Sequence, residues 1–168
     1  MPSTTTVQID DLRDDADARA FRDLNEAWIT QYFAVEAEDR RQLEDPVGHL
    51  VEPGGAVLVA RLGTEVVGCV GLAPTARPGV VELVKMVVSP AHRGHGTGRV
   101  LVAAAIARAR ALGATRIELE SNRRLAAAVH LYEASGFRHL AADEHEPGPY
   151  ARADVAMALD LAREASAG

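Results

Sequence analysis

A single cysteine, Cys69, stands in the sequence, so an intrachain disulfide framework is excluded. Its apolar strand context reads as a buried structural thiol rather than a nucleophile. Aromatic residues are scarce at 4%, and the apolar fraction of 48% leans on alanine. No apolar run reaches membrane-spanning length, and the N-terminus lacks the apolar segment of a signal peptide. A cytoplasmic protein with no membrane partner is the default expectation. Basic residues are in deficit: 18 Lys and Arg against 24 Asp and Glu give a net charge of −6. That balance argues against general nucleic-acid binding, which needs a basic footprint, and mildly favours cationic substrates. The six histidines form no metal-binding spacing, and there is no H-x-x-x-H or cysteine pair, so no metal is expected.

What is present is concentrated in residues 81 to 98, VELVKMVVSPAHRGHGTG. Val81, Leu83, Val84, Met86, Val87 and Val88 form a nearly continuous apolar run of strand type. Ser89 and Pro90 end it, since proline cannot donate to a sheet ladder. Arg93, Gly94, Gly96 and Gly98 follow in the spacing R-G-x-G-x-G, and RVLVAAAIARARAL then reads as a helix. A strand, a glycine-rich turn and a helix N-terminus make an anion cradle. Arg93 adds a full charge, and the pattern reads as a pyrophosphate site.

The length of 168 residues suggests one domain with a real hydrophobic core. Its ordered part is expected from about 7 to 161, with frayed termini. A short strand is expected near Val7–Ile9 and a helix from about Asp15 to Tyr32, with Phe21, Leu24, Trp28 and Ile29 on one core-facing stripe. A second short helix runs to about Leu43. AVLVARL (56–62) and EVVGCVGLA (65–73), joined by Gly63-Thr64, predict an antiparallel hairpin. Further strands are read at 115–121, 137–141 and 153–161, with a helix at 125–135 ended by Gly136. The expected fold is α+β: one mixed, mainly antiparallel sheet flanked by helices.

An alternative reading of the glycine turn is a dinucleotide site, with Glu118 or Glu120 about 20 residues on as the ribose-binding acid. The spacing is G-x-G-x-G rather than G-x-G-x-x-G, and the early βαβ alternation of a doubly wound fold is missing.

The Arg93–Gly98 signature, the E-L-x-K-M-x-V strand before it and the L-Y-E-x-x-G-F ending of the second long helix together resemble the GNAT superfamily of acyl-CoA-dependent N-acetyltransferases. The likeness runs from about Ala56 to Leu161. It implies acetyl transfer from acetyl-CoA to a primary amine. It implies a coenzyme A pyrophosphate on Arg93, Gly94, His95, Gly96, Thr97 and Gly98, and a pantetheine arm along Met86, Val87 and Val88. Glu82, the one carboxylate in an apolar strand, is the candidate base, and alternation puts it on one face with Val84 and Met86. Tyr132 is the candidate acid toward the coenzyme sulfur. Asn122 is a candidate for a pantetheine amide, because Leu125 stands where many members carry asparagine. The acceptor pocket would draw on Trp28, Tyr32, Phe33 and Glu36, with Tyr150 and Arg152 opposite. The absence of a G-x-S-x-G elbow favours direct transfer in a ternary complex. A non-catalytic acetyl-CoA-binding module would keep the cradle without needing Glu82 or Tyr132. Family habit makes a homodimer an expectation.

Overall fold

A computed structural model describes residues 6–161; the expected fraying of the termini lies outside these residues. Seven strands form one sheet: β1 (Gln8–Asp11), β2 (Ala56–Leu62), β3 (Glu65–Pro74), β4 (Val80–Val88), β5 (Arg116–Ser121), β6 (Arg138–His139) and β7 (Val155–Asp160). Their order is β1-β2-β3-β4-β5-β7-β6. The β4–β5 pair is parallel and the others are antiparallel, which agrees with the expected mixed sheet and not with a doubly wound one. Among the described residues four α-helices cover it: α1 (Asp15–Tyr32), α2 (Ala37–Glu44), α3 (Thr97–Ala111) and α4 (Ala126–Ala134).

The central strands are buried on both faces, so they read as apolar runs rather than alternating ones. Along β2, Ala56, Leu58 and Ala60 join the core under α3 and α4, while Val57 and Val59 join the core under α1 and α2. The buried seam of α1 is Asp17, Phe21, Asn25 and Ile29, an i, i+4 row. Leu24 and Trp28, expected on the same stripe, flank it half-buried. A π-helical turn, Val47–Val51, occupies what reads as loop, and it seats a fully buried Leu50 against β2 and β3.

Asp17 is buried because it holds Arg61 of β2. Two hydrogen bonds of 2.7 Å join them, and Asp10 accepts a third from Arg61 at 2.9 Å. The Arg61 guanidinium holds the Asp17 carboxyl below its ordinary range. Removing one partner of a buried pair strands the other. Asp17→Asn is therefore expected to destabilise the protein by about 3–5 kcal/mol in a denaturant melt. Replacing Asp17 and Arg61 together with apolar residues of similar volume is expected to cost much less.

Two features of β4 position everything that follows. Its pairing with β5 covers just Val80–Glu82 against Arg116–Glu118. Beyond that point β5 stays with β7 to Ser121 while β4 stays with β3, so a gap opens between β4 and β5. The second feature is a bulge. Cys69 pairs with Val87 but Gly71 with Val84, so β4 carries an extra residue, and Lys85 takes the left-handed value φ 55°.

Candidate active site

The bulge corrects the expected face of Met86. Strict alternation would put Glu82, Val84 and Met86 together. The extra residue at Lys85 reverses the phase. Val84 and Val87 pack in the core of the α1–α2 side, whereas Met86 and Val88 pack toward α3 and α4. Lys85 itself points to α2. Its Nζ lies 2.6 Å from Asp39 Oδ1 and 3.1 Å from the Tyr150 hydroxyl, so Lys85 pairs with Asp39 rather than with Glu82. Burial lowers the Lys85 ammonium, opposed by the Asp39 charge. Arg152 binds the same carboxylate at 2.7 and 2.8 Å and reaches Glu36 at 3.2 Å. Burial pushes the Asp39 carboxyl up, but the Arg152 hydrogen bonds and the Lys85 charge outweigh it and hold it at about 2. This knot fixes the loop before β7 to α2, and Glu36 reinforces it by accepting from Ala151 N at 3.1 Å. Glu36 is thus a tether for that loop; it lies outside the cavity wall that it was expected to form.

Two adjoining cavities lie along β4, the smaller reaching β5 at Glu120 and Ser121 and the larger lying between β4 and the starts of α3 and α4. The larger encloses about 480 Å³ and runs from Met86–Val88 past Arg93, Gly94, Gly96, Thr97 and Gly98 to Leu131 and Tyr132. The conformation of the turn matches an anion cradle. Gly94 and Gly96 have φ 81° and 82°, a region costly for residues with a Cβ, and open space surrounds both. Gly96 caps α3 and has no side chain to accept from its first amides, so the N–H groups of the first turn remain available to an anion. Arg93 Nε donates to Val88 O at 3.1 Å, which holds the guanidinium beside the end of β4. His92 lines the same cavity, with a buried Nδ1 that has no hydrogen-bond partner among the described residues. His95 is exposed and lies outside the lining. A diphosphate with an extended apolar-sided arm fits this combination of free amides, a cation and a splayed strand.

The smaller cavity, about 100 Å³, is walled by Trp28, Ile29 and Phe33 on one side and by Glu82, Glu120, Tyr150 and Arg152 on others. Tyr32, expected here, instead lines the larger cavity, and Trp28 lines both. Trp28, Tyr32 and Phe33 stack at tilted angles with centroids 5.8–6.4 Å apart. Asn122 lines the smaller cavity, with both ends of its amide engaged. Nδ2 donates to Arg152 O at 2.6 Å, and Oδ1 accepts from Arg124 N at 2.9 Å. Leu125 lines both cavities.

Glu82 lines the smaller cavity, and Tyr132 lines both where they meet. Burial, then the neighbouring Glu120 charge, pushes the Glu82 carboxyl up to about 7. Tyr132 is 6% exposed, lines both cavities, and meets Phe137 edge-on at 5.9 Å. Burial raises its phenol further above neutrality, so it stays a proton donor. Cys69 is fully buried under α1, accepts from Asn25 Nδ2 at 3.4 Å, and has its thiol pushed up to about 12 by burial. It does not serve as a thiolate at neutral pH. Among the described residues no group of three His, Cys, Asp or Glu could hold a metal ion, and no helix is long and apolar enough to cross a membrane.

Reading the sequence overlooked Asn25, Asp39, Lys85 and His145 around this site. Lys85 carried a signal: a lysine inside an apolar strand needs a buried partner. Asp39 carried none, because AEDRRQLE reads as an exposed polar helix until its distant partners are known.

Comparison with known proteins fits this geometry. A family profile described as "Acetyltransferase (GNAT) family" matches residues 16–137. The chain is 40% identical to the uncharacterized N-acetyltransferase YjgM of Escherichia coli over 91 residues, 53% of this chain and 54% of that protein. It is 33% identical to an uncharacterized N-acetyltransferase of Schizosaccharomyces pombe over 124 residues, 73% of this chain and 74% of that one. The match therefore spans about half the length of the first relative and about three quarters of the second. A GNAT-family acetyltransferase from Staphylococcus aureus superposes with a TM-score of 0.83 at 17% identity, covering 94% of this chain and all of that one. The yncA acetyltransferase of Salmonella typhimurium, solved with its cofactor acetyl-CoA, gives 0.73 at 25% identity, covering 97% and 98%.

Proposed function

The chain belongs to the acetyltransferase (GNAT) family, and from that premise we propose that it transfers an acetyl group from acetyl-CoA to a primary amine by direct attack. The observation that carries this reading is the meeting of the two cavities. Trp28, Met86, Leu125, Ala128 and Tyr132 line both, so a group in the larger cavity can meet one in the smaller. Acetyl-CoA, when bound, supplies an acyl carbon activated by a thioester.

The chain's residues would do the rest. Amides of the Gly96–Gly98 turn and the Arg93 guanidinium hold the diphosphate. The main chain of Met86–Val88, turned away from β5, pairs with the amides of the pantetheine arm as an added strand would. The aromatic wall of Trp28 and Phe33 packs the body of the amine. An ammonium has no lone pair, so it must lose a proton before attack. Glu82, poised near neutrality, takes it. Tyr132 donates to the departing sulfur, whose thiol has an ordinary pKa near 8.5. The buried, protonated Cys69 supports direct transfer over an acyl-enzyme.

The test is a panel of primary amines with acetyl-CoA, read by release of free thiol and by mass of the product. Turnover with at least one amine is expected. Tight acetyl-CoA binding without turnover on any amine would contradict the enzyme reading and favour a binding module. Tyr132→Phe is expected to lower kcat roughly 10²-fold while leaving acetyl-CoA affinity within a few-fold. Unchanged kcat would remove Tyr132 from the mechanism.

A further inference from the structure

Acetyl transfer from a thioester to an ammonium yields an amide, a free thiol and one proton. A base that takes this proton must lose it before the next turnover. Glu82 is half-buried, and the acceptor would cover it from the side of the smaller cavity. A third cavity, about 260 Å³, reaches Glu82 from elsewhere. Glu82 and Glu120 line both it and the acceptor cavity. Its remaining polar walls are Thr75, Arg77, Glu118, His145 and Glu146, and its rim at Glu146–Gly148 is exposed. That volume has room for several waters.

We propose that Glu120 and His145 form the exit through which the proton taken up by Glu82 reaches solvent. This rests on Glu82 being the base. The register aligns the carboxylates: Glu82 sits beside Glu118 across the parallel pair, and Glu120 is two residues further along β5, on the same face. His145 Nε2 lies 3.3 Å from Glu120 Oε2. Both ring nitrogens of His145 are buried and lack a hydrogen-bond partner among the described residues. Leaving such groups unsatisfied is costly. A ring that exchanges protons with the contents of the cavity has a reason to be there. The loop is built onto Glu120, because Gly148 N donates to Glu120 Oε2 at 3.2 Å and a Cβ at Gly148 would collide with that carboxylate.

The surrounding charges leave this pair free to act. Glu118 is neutralised by Arg77 and Arg116, and Lys85 is committed to Asp39 on α2. Tyr150 is a raised phenol, and Glu146 lies on the rim. His145 is the basic side chain that faces Glu120. In the step itself, the proton on the Glu82 carboxyl passes by way of Glu120 or an intervening water to the His145 imidazole. The Glu82 carboxylate is restored, and the imidazolium releases the proton to solvent. Histidine suits this because one ring nitrogen can accept a proton while the other donates one.

Both residues are positioning residues for Glu82, and opposite charges near a carboxyl move it in opposite directions. His145→Gln is expected to shift the acid limb of the kcat/KM profile upward by about half a pH unit or more, and Glu120→Gln to shift it downward by a similar amount. His145→Ala is expected to lose kcat roughly tenfold at low buffer concentration and to recover it with added imidazole. Thermal melting and acetyl-CoA affinity check that the variants are folded. An NMR titration of the Glu82 carboxyl in wild type and both glutamine variants reads the same shifts without turnover. Failure to acetylate any amine would therefore count against the enzyme reading alone. Shifts that are absent or in the same direction, or a rate indifferent to imidazole in His145→Ala, would overturn the exit.

Discussion

Glu82→Gln is expected to lower kcat/KM by about 10²- to 10⁴-fold, the usual worth of a positioned general base, and at the same time to make the folded protein more stable at alkaline pH. Both effects come from the same burial. The carboxyl, ordinarily near 4.5, is pushed up to about 7 because desolvation and the Glu120 charge penalise its ionised form. The fold therefore favours the protonated acid. The stability this group contributes is fully present below pH 4.5 and is lost as pH rises through 7. Glutamine has no charge to bury. At pH 8 the variant should exceed wild type by on the order of 2–3 kcal/mol, and the difference should vanish below about pH 4.5. Denaturant melts at pH 4 and pH 8 measure this directly. Wild-type kcat/KM should rise with pH through an acid limb near 7, and the variant should lack that limb. A variant that keeps wild-type turnover would assign the base role to another group.

The second large effect concerns the cradle. A Cβ at Gly98 would stand 3.1 Å from Leu131 Cδ2 and 3.4 Å from Met86 Cε, in the space between the end of β4 and α4. Gly98 has an ordinary negative φ, unlike Gly94 and Gly96, so a side chain there blocks space without straining the backbone. Gly98→Val is expected to raise the Kd for acetyl-CoA at least roughly 10²-fold, equivalent to about 2.7 kcal/mol. The contact at 3.1 Å asks Leu131 to yield by a few tenths of an ångström, so the melting midpoint should change little. Calorimetric titration of acetyl-CoA into both proteins decides the matter. Equal affinities would mean that the ligand does not cross this floor.

These sites were unevenly legible in the sequence. β2 follows the expected span residue for residue, and α1 does so from Asp15 to Tyr32, because each has an unambiguous period and clear stops. The glycine turn was legible because its chemistry is local: three glycines, an arginine and a helix start. The bulge in β4 was not. Its left-handed residue is a lysine rather than a glycine, held there by Asp39 from another element, so nothing nearby marks it. With the bulge missed, the face of Met86 came out inverted. The segment from Leu140 to Asp154 has no period at all, and its place is set by Asp39 gripping Arg152 and by Glu120 accepting from Gly148. Such long-range pairings are invisible until the sheet is assembled. For the same reason Glu120 was legible as the ribose-binding acid of the rejected dinucleotide alternative and not as the neighbour of Glu82.

The most direct measurement is a crystal structure of the protein with coenzyme A and a substrate amine. The account predicts the diphosphate against the amides of Gly96, Thr97 and Gly98, the sulfur within hydrogen-bond reach of the Tyr132 hydroxyl, and the amine nitrogen facing Glu82. Coenzyme bound away from the gap between β4 and β5, or a sulfur remote from Tyr132 and Glu82, would contradict it.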